Sequence, residues 1–333
     1  MQVKAMAVME RGGTLVPFAY EAPPLGPHDV LLEVRACSIC HSDLHMADDD
    51  WGIARFPLVP GHEVVGVVRE RGREVSHLSP GDRVGVGWQR SSCLHCPDCL
   101  SGRENLCAES RGLIVGSPGG FADLLVADSR FCFPLPPGLP DEAAGPLLCG
   151  GVTVYSALRH AGMTSGQEVG VVGLGGLGHL AVQFASRLGN RVTAFTTSED
   201  KVPFASHLGA SHTVVVREGE KPRTERPLDI LIQTVPRDPG LADFLDLLGS
   251  DGTLTFVGVP LEPIPLPVGS LLSRRRRIMA SPIGGRALVA ETLDVADRFS
   301  IRPVVETYPL TEAQKAFDRL RENRVRYRAV LLP

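Results

Sequence analysis

Through the first 140 residues, apolar and polar positions alternate in short runs: Asp29 to Ala36 (DVLLEVRA), Glu63 to Arg69 (EVVGVVR) and Asp82 to Val86 (DRVGV). Gly, Pro and Asp punctuate them, which predicts antiparallel β-structure. From about Gly151 the pattern changes. VTVYSALRHAG has helical spacing, EVGVVGLGGLGHLAVQFASRLG passes from apolar strand through glycines into helix, and RVTAFTT is another short strand. Strand alternating with helix predicts a parallel sheet with crossovers. The alternation continues through LGASHTVVV, LDILIQTV, a helix around Leu241 to Leu248, TLTFVGV and a strand at Ile278 to Ser281. The tail from Ile301 reads as a strand, a helix capped by Thr311 and a final strand, with the texture of the first part. The expected fold is therefore α/β: a β-rich unit of residues 1–150 completed by 300–333, and a doubly wound parallel-sheet unit of residues 151–299.

A chain of 333 residues and 35.7 kDa exceeds what one core usually serves, in keeping with two units. With 43% hydrophobic and 22% charged residues it can bury enough apolar surface to order itself. A net charge of -4 argues against a nucleic-acid partner, which needs a broad basic face. The apolar stretch Val169 to Ala185 is dense in glycine and broken by His179, so no membrane span is expected. The N-terminus MQVKAMAVMERGG lacks the pattern of a signal peptide, so the expected compartment is the cytoplasm. There the eight cysteines stay reduced, and clustered thiols are metal ligands or catalytic groups more often than disulfides.

Cys93, Cys96, Cys99 and Cys107 form C-x2-C-x2-C-x7-C in a polar loop. Four thiolates so close suit a tetrahedral zinc with no open position, hence a structural one. Gly173, Gly175 and Gly178 form G-x-G-x-x-G between the strand at Val169 to Val172 and a helix beginning near Leu177. In that context the glycines allow a tight turn, close approach to a pyrophosphate and tight helix packing. About twenty residues further on, where an NAD site offers a carboxylate to the ribose, stand Thr196, Thr197 and Ser198, with Lys201 a turn later. Hydroxyls and a lysine suit a 2′-phosphate. Ser198 also suits a helix cap ahead of Glu199 and Asp200.

CSICHSDLH (Cys37 to His45), PGHEVVGVV (Pro60 to Val68), the cysteine loop and VVGLGGLGHLAVQFA resemble the zinc-dependent alcohol dehydrogenases of the medium-chain dehydrogenase/reductase superfamily. GWQRSSC, GGFADLLVAD, PLLCGGVTVYSAL and AFTTSEDK narrow the resemblance to the cinnamyl-alcohol-dehydrogenase-like branch, in order along nearly the whole chain. The resemblance implies a GroES-like catalytic domain, a Rossmann cofactor domain, an active site in the cleft between them, and two zinc ions per chain. Cys40, His62 and Cys149 would ligate the catalytic ion and leave a fourth position for water or substrate oxygen. Glu63 matches a carboxylate near that ion, and Asp43 matches the acid that fixes the ligand histidine's ring. Ser42 and His45 match a relay that moves the alcohol proton to solvent.

The same resemblance brings His41 to the cofactor pyrophosphate and packs Thr153 and Leu177 on the nicotinamide, with Gly176, Val257 and Ile283 as further cofactor contacts. Trp51, Trp88 and Ile283 would line an apolar substrate cleft. Pro282 stands where the branch often has phenylalanine, which puts a bulky aromatic substrate in doubt. Cys37 and Cys132 are expected to be packing residues, and Arg274 to Arg277 a solvated turn or subunit contact. The expected activity is NADP(H)-dependent reduction of a primary aldehyde with an apolar tail, reversibly, by a homodimer joined through edge strands of the cofactor domain. An NAD-dependent polyol or secondary-alcohol dehydrogenase is the alternative, and it would want an acid where Thr197 stands. A non-catalytic zinc and dinucleotide sensor would not need Ser42 and His45 as well as the three ligands.

Overall fold

Strand Asp29–Ile39 organises the first unit: Val30, Leu32, Val34 and Ala36 point inward while Glu33 and Arg35 face solvent, the period-two pattern of a half-buried strand. In the computed structural model, which describes residues 1–260 and 262–333, it pairs antiparallel with Glu63–Arg71, Leu124–Asp128 and Arg328–Leu332. Val305–Pro309, Arg83–Val86 and Cys132–Pro134 complete a seven-stranded sheet. Its core includes Val64, Val84, Phe121 and Phe317, the two rings meeting edge-on with centroids 5.7 Å apart. Residues Met1–Cys149, Gly285–Asp297 and Pro303–Pro333 form this unit.

The second unit comprises Gly150–Gly284 and Arg298–Arg302. Its six parallel strands lie in the order His212–Val215, Arg191–Thr196, Glu168–Val172, Leu228–Gln233, Leu248–Phe256, Arg277–Ala280. Numbered along the chain this is 3-2-1-4-5-6, so the order reverses between Glu168–Val172 and Leu228–Gln233. Crevices at such a switch point, beyond the carboxyl ends of the strands, bind ligands. The strands are apolar on both faces (Val169, Val171, Ile230, Leu231 and Ile232 are all buried), as a sheet covered on two sides requires.

Three details differ from the sequence reading. The helix expected to reach Leu248 ends at Leu245, because the Leu228 N–H donates to the Leu247 carbonyl and draws Leu248 into the sheet opposite Leu228. Thr311 does not cap the last helix: it lies inside a 3-10 turn, Leu310–Glu312, and helix Ala313–Arg321 starts only after it, with no side-chain cap. Most of helix Arg286–Arg298, within the stretch expected to belong to the dinucleotide unit, clusters with the first unit. The Arg286 N–H and guanidinium bond to the Glu104 carboxylate and the Arg130 carbonyl there. Among the described residues, no helix is long and apolar enough to cross a membrane.

Candidate active site

Strand Asp29–Ile39 runs out at Cys40, which precedes helix His41–Ala47. Asp43, in that helix's first turn and fully buried, accepts from the Cys40 N–H at 2.9 Å and the Gly61 N–H at 2.8 Å. Its Oδ1 also stands 3.1 Å from His62 Nδ1. Asp43 thus fixes the imidazole and leaves Nε2 as the free ring nitrogen. Gly61 has φ +100°, and a Cβ there would meet Phe121 and Cys37 Sγ at under 3 Å, so the chain passes this point only as glycine. Cys149 comes from a π-helical turn, Leu147–Gly151, after helix Asp141–Pro146. Single π-turns concentrate at functional sites.

One donor atom from each of Cys40, His62, Glu63 and Cys149 lies within 4.8 Å of the others. His62 Nε2 is buried without a hydrogen-bond partner, a costly state that a bound cation would relieve. The thiols are already polarised. A hydrogen bond with Cys149, and His62 beside it, hold the Cys40 thiol well below its ordinary range, while the same hydrogen bond and burial push the Cys149 thiol well above it. The donor set of two sulfurs, one imidazole nitrogen and one oxygen fits zinc. The Glu63 carboxylate is also gripped by the Arg328 guanidinium, through both oxygens, in a pair that is almost wholly buried. Burial pushes the Glu63 carboxyl above its usual range, and Arg328 opposes that shift.

Ser42 Oγ lies 3.9 Å from Cys40 Sγ. One turn along the same helix, half-buried His45 bonds through Nδ1 to Asp50 Oδ2 at 2.7 Å. The His45 ring sits 5.3 Å from that of Trp51, Trp51 meets Trp88 edge-on at 6.0 Å, and Trp88 meets His62 edge-on at 5.0 Å. Ring contacts thus run from buried His62 through the two tryptophans to half-buried His45. His41, the first residue of the helix, is exposed.

Elsewhere in the first unit, Cys93, Cys96, Cys99 and Cys107 bring their sulfurs within 4.8 Å of one another. Cys93 Sγ is 3.8 Å from Cys99 Sγ and 3.6 Å from Cys107 Sγ, and all four are free thiols. Backbone hydrogen bonds at His95 and Cys96 help draw the Cys93 thiol down to about 7. A closed set of four sulfurs fits a structural zinc, which leaves no position for a reactant.

In the second unit, strand Glu168–Val172 gives way to Gly173, at φ +92°, and helix Gly178–Arg187. A Cβ on Gly178 would lie 1.8 Å from the Gly173 carbonyl, whereas one on Gly175 would meet nothing within 4 Å. The third glycine thus packs helix on strand, and the second leaves open space where a phosphate would approach. Gly176 and Leu177 complete the turn, and Thr153 is buried in helix Val152–His160. The Val257 N–H donates to the Gln233 carbonyl at 3.0 Å, placing Val257 at the carboxyl end of the neighbouring strands, and Ile283 follows strand Arg277–Ala280. At the end of strand Arg191–Thr196, the Ser198 N–H donates to Thr196 Oγ1 at 3.2 Å and Ser198 Oγ donates to Asp200. Ser198 makes no side-chain cap to the backbone. Three residues that sequence reasoning passed over belong to these sites: Asp50, Arg328 and Arg217, whose guanidinium bonds to Glu199. An arginine at a buried position of the apolar run RAVLL was the one available signal for Arg328.

Known proteins repeat this combination of a thiol- and histidine-bearing β-rich unit with a doubly wound sheet. The alcohol dehydrogenase GroES-like domain family matches residues 26–137, and the zinc-binding dehydrogenase family matches residues 176–298. An aldehyde reductase of Synechocystis is 42% identical over 99% of this chain and 98% of its own. A cinnamyl alcohol dehydrogenase of Sorghum bicolor superposes with a TM-score of 0.93 at 37% identity, covering 99% of this chain and 97% of its own. A cinnamyl alcohol dehydrogenase of Helicobacter pylori complexed with NADP(H) gives 0.92 at 30% identity, covering 99% and 98%. The chain belongs to the zinc-type alcohol dehydrogenases of the medium-chain dehydrogenase/reductase superfamily, with a GroES-like domain and a Rossmann domain, in the cinnamyl-alcohol-dehydrogenase-like branch. Its activity is that of an alcohol dehydrogenase and aldehyde reductase.

Proposed function

We propose that this enzyme holds two zinc ions and uses NADP(H) to reduce primary aldehydes with apolar tails, reversibly. The observation that carries the reading is the buried, unpartnered Nε2 of His62 facing Cys40, Cys149 and Glu63. Cys40, His62 and Cys149 would hold the catalytic ion, and Cys93, Cys96, Cys99 and Cys107 the structural one. Bound zinc supplies Lewis acidity toward the substrate oxygen, and the nicotinamide supplies or accepts hydride.

The chain's own residues do the rest. Asp43 keeps the His62 ring in the orientation that leaves Nε2 free for a ligand role. Ser42, beside Cys40, exchanges a proton with the substrate oxygen, and His45 passes it to solvent, its ring held by Asp50. Trp51 and Trp88 offer apolar contact and exclude water from the donors. Thr196, Thr197, Ser198 and Lys201 would bind the adenosine end and its 2′-phosphate, with Gly173, Gly175, Gly176 and Gly178 beneath the pyrophosphate and His41 as a further cofactor contact. Thr153, Leu177, Val257 and Ile283 would pack around the nicotinamide, Ile283 also bordering the substrate. Within this reading Met1–Cys149, Gly285–Asp297 and Pro303–Pro333 supply the catalytic domain and Gly150–Gly284 with Arg298–Arg302 the cofactor domain, and the enzyme is a homodimer.

The test is a panel of straight-chain aldehydes of increasing length assayed with NADPH and NADH. The expected result is at least about tenfold higher kcat/KM with NADPH, roughly 1.4 kcal/mol. Each added methylene should contribute up to about 0.8 kcal/mol of transition-state binding until the pocket fills. Equal use of both cofactors, or a preference for polyols, would replace this reading with that of an NAD-dependent polyol dehydrogenase.

A further inference from the structure

Strands Arg191–Thr196 and His212–Val215 run parallel with Thr196 opposite Val215, and the Val216 N–H donates to the Thr196 carbonyl at 2.8 Å. That last bond keeps the two segments side by side beyond the strand ends, so Arg217 emerges next to Thr197 and Ser198. Its guanidinium donates to Glu199 Oε1 at 2.6 Å and lies 3.8 Å from Glu220. Arg217 and Glu199 are 61% and 70% exposed, and ion pairs so wet are readily exchanged for a better partner. The other acid of the turn, Asp200, accepts from Ser198 Oγ. Both carboxylates that follow Ser198 are thus engaged by donors, and a guanidinium stands beside the turn where the adenosine ribose would lie.

We infer that Arg217 is a specificity-determining residue of the cofactor site, exchanging the Glu199 carboxylate for the 2′-phosphate when NADP(H) binds. This rests on the NADP(H) reading above. A phosphate carries nearly two negative charges and three acceptor oxygens, so it outcompetes a carboxylate for a planar guanidinium fork. Lys201 offers only a point charge from the following helical turn, while Arg217 approaches from the neighbouring strand. The two cations then bracket the phosphate from two elements. NAD(H) presents a ribose hydroxyl at that place and gains nothing from Arg217, so the residue acts on the difference between the cofactors.

The experiment compares wild type, Arg217→Gln and Arg217→Lys in steady-state kinetics with NADPH and NADH, and in inhibition by 2′-AMP against 5′-AMP. Arg217→Gln should raise KM for NADPH and the inhibition constant of 2′-AMP about tenfold. Its kcat, NADH kinetics and 5′-AMP inhibition should stay at wild-type values. Arg217→Lys should recover part of the loss. If wild type prefers NADPH and Arg217→Gln keeps the full preference, the inference is overturned while the cofactor reading stands. A loss shared equally by NADH would mark a structural role and overturn it too. A wild type without preference would overturn the cofactor reading, and this inference with it.

Discussion

At the scale of single residues, the donor cluster depends on groups whose charges are balanced locally. Arg328 and Glu63 are 265 positions apart in sequence and both buried, so neither is tolerable alone. Arg328→Met should destabilise the fold by about 3–5 kcal/mol, the usual cost of stranding one partner of a buried pair, and adding Glu63→Gln should recover most of it. Thermal melts of the two variants check this, and equal melting would mean that the pair is not coupled. Ser42→Ala should lower kcat by about 10²-fold or more with zinc content unchanged, in the range of positioned acid–base groups. Asp50→Asn should be milder, since it leaves the His45 ring in place and loosens only its orientation. Wild-type turnover by Ser42→Ala would remove the relay from the mechanism. Cys40, His62 and Cys149 were nameable from sequence only because the surrounding segments resemble a family, and spacing alone joins none of them. Asp50 was hidden in the acidic run Asp48 to Asp50, where nothing marks which carboxylate meets His45.

At the scale of elements, the segments with strong local chemistry were the legible ones. G-x-G-x-x-G between strand and helix has one physical use for each glycine, and the distances agree: crowding at Gly178, openness at Gly175. The thiol loop was equally plain, because its four sulfurs lie within fifteen residues. Helix ends were not. Whether the chain continues at Leu248 as helix or strand is decided by its pairing with Leu228, and the last helix begins after a 3-10 turn that pattern alone does not separate from it. Around the thiol loop, regular structure amounts to the strand pair Gln89–Ser91 with Arg111–Gly112, the four-residue helix Pro97–Leu100 and the 3-10 turn Glu104–Leu106. On the two-zinc reading, metal ligation would supply much of its order. Cys107→Ser should therefore lose one zinc and melt at a lower temperature. Cys149→Ser should lose the other and its activity with a smaller change in melting. Elemental analysis of wild type prepared without chelator should give two zinc ions per chain, and one or none would contradict both assignments.

At the scale of the whole molecule, the division into a β-rich unit and a parallel-sheet unit was readable because hydrophobic periodicity changes near Gly151. The membership of helix Arg286–Arg298 was not, since contacts with Glu104 and Arg130, some 160 to 180 residues earlier, decide it. The parallel sheet also ends in an edge. Among the described residues, strand Arg277–Ala280 pairs only with Leu248–Phe256, so its other side carries unpaired N–H and C=O groups. Exposed edges are a liability that proteins cover, charge or pair. The segment leading into this strand exposes Val259 (73%) and Leu272 (78%), with Leu266 and Val268 also more than half exposed. An open edge beside such residues suits self-complementary pairing about a two-fold axis, in which each copy covers the other's strand and apolar side chains. Light scattering at micromolar concentration should give about twice the 35.7 kDa of one chain. Val259→Glu combined with Leu272→Glu should shift the mass toward that of the monomer by placing like charges across the axis. A wild type that runs as a single chain, or a double variant that stays dimeric, would show that this edge is not where copies meet.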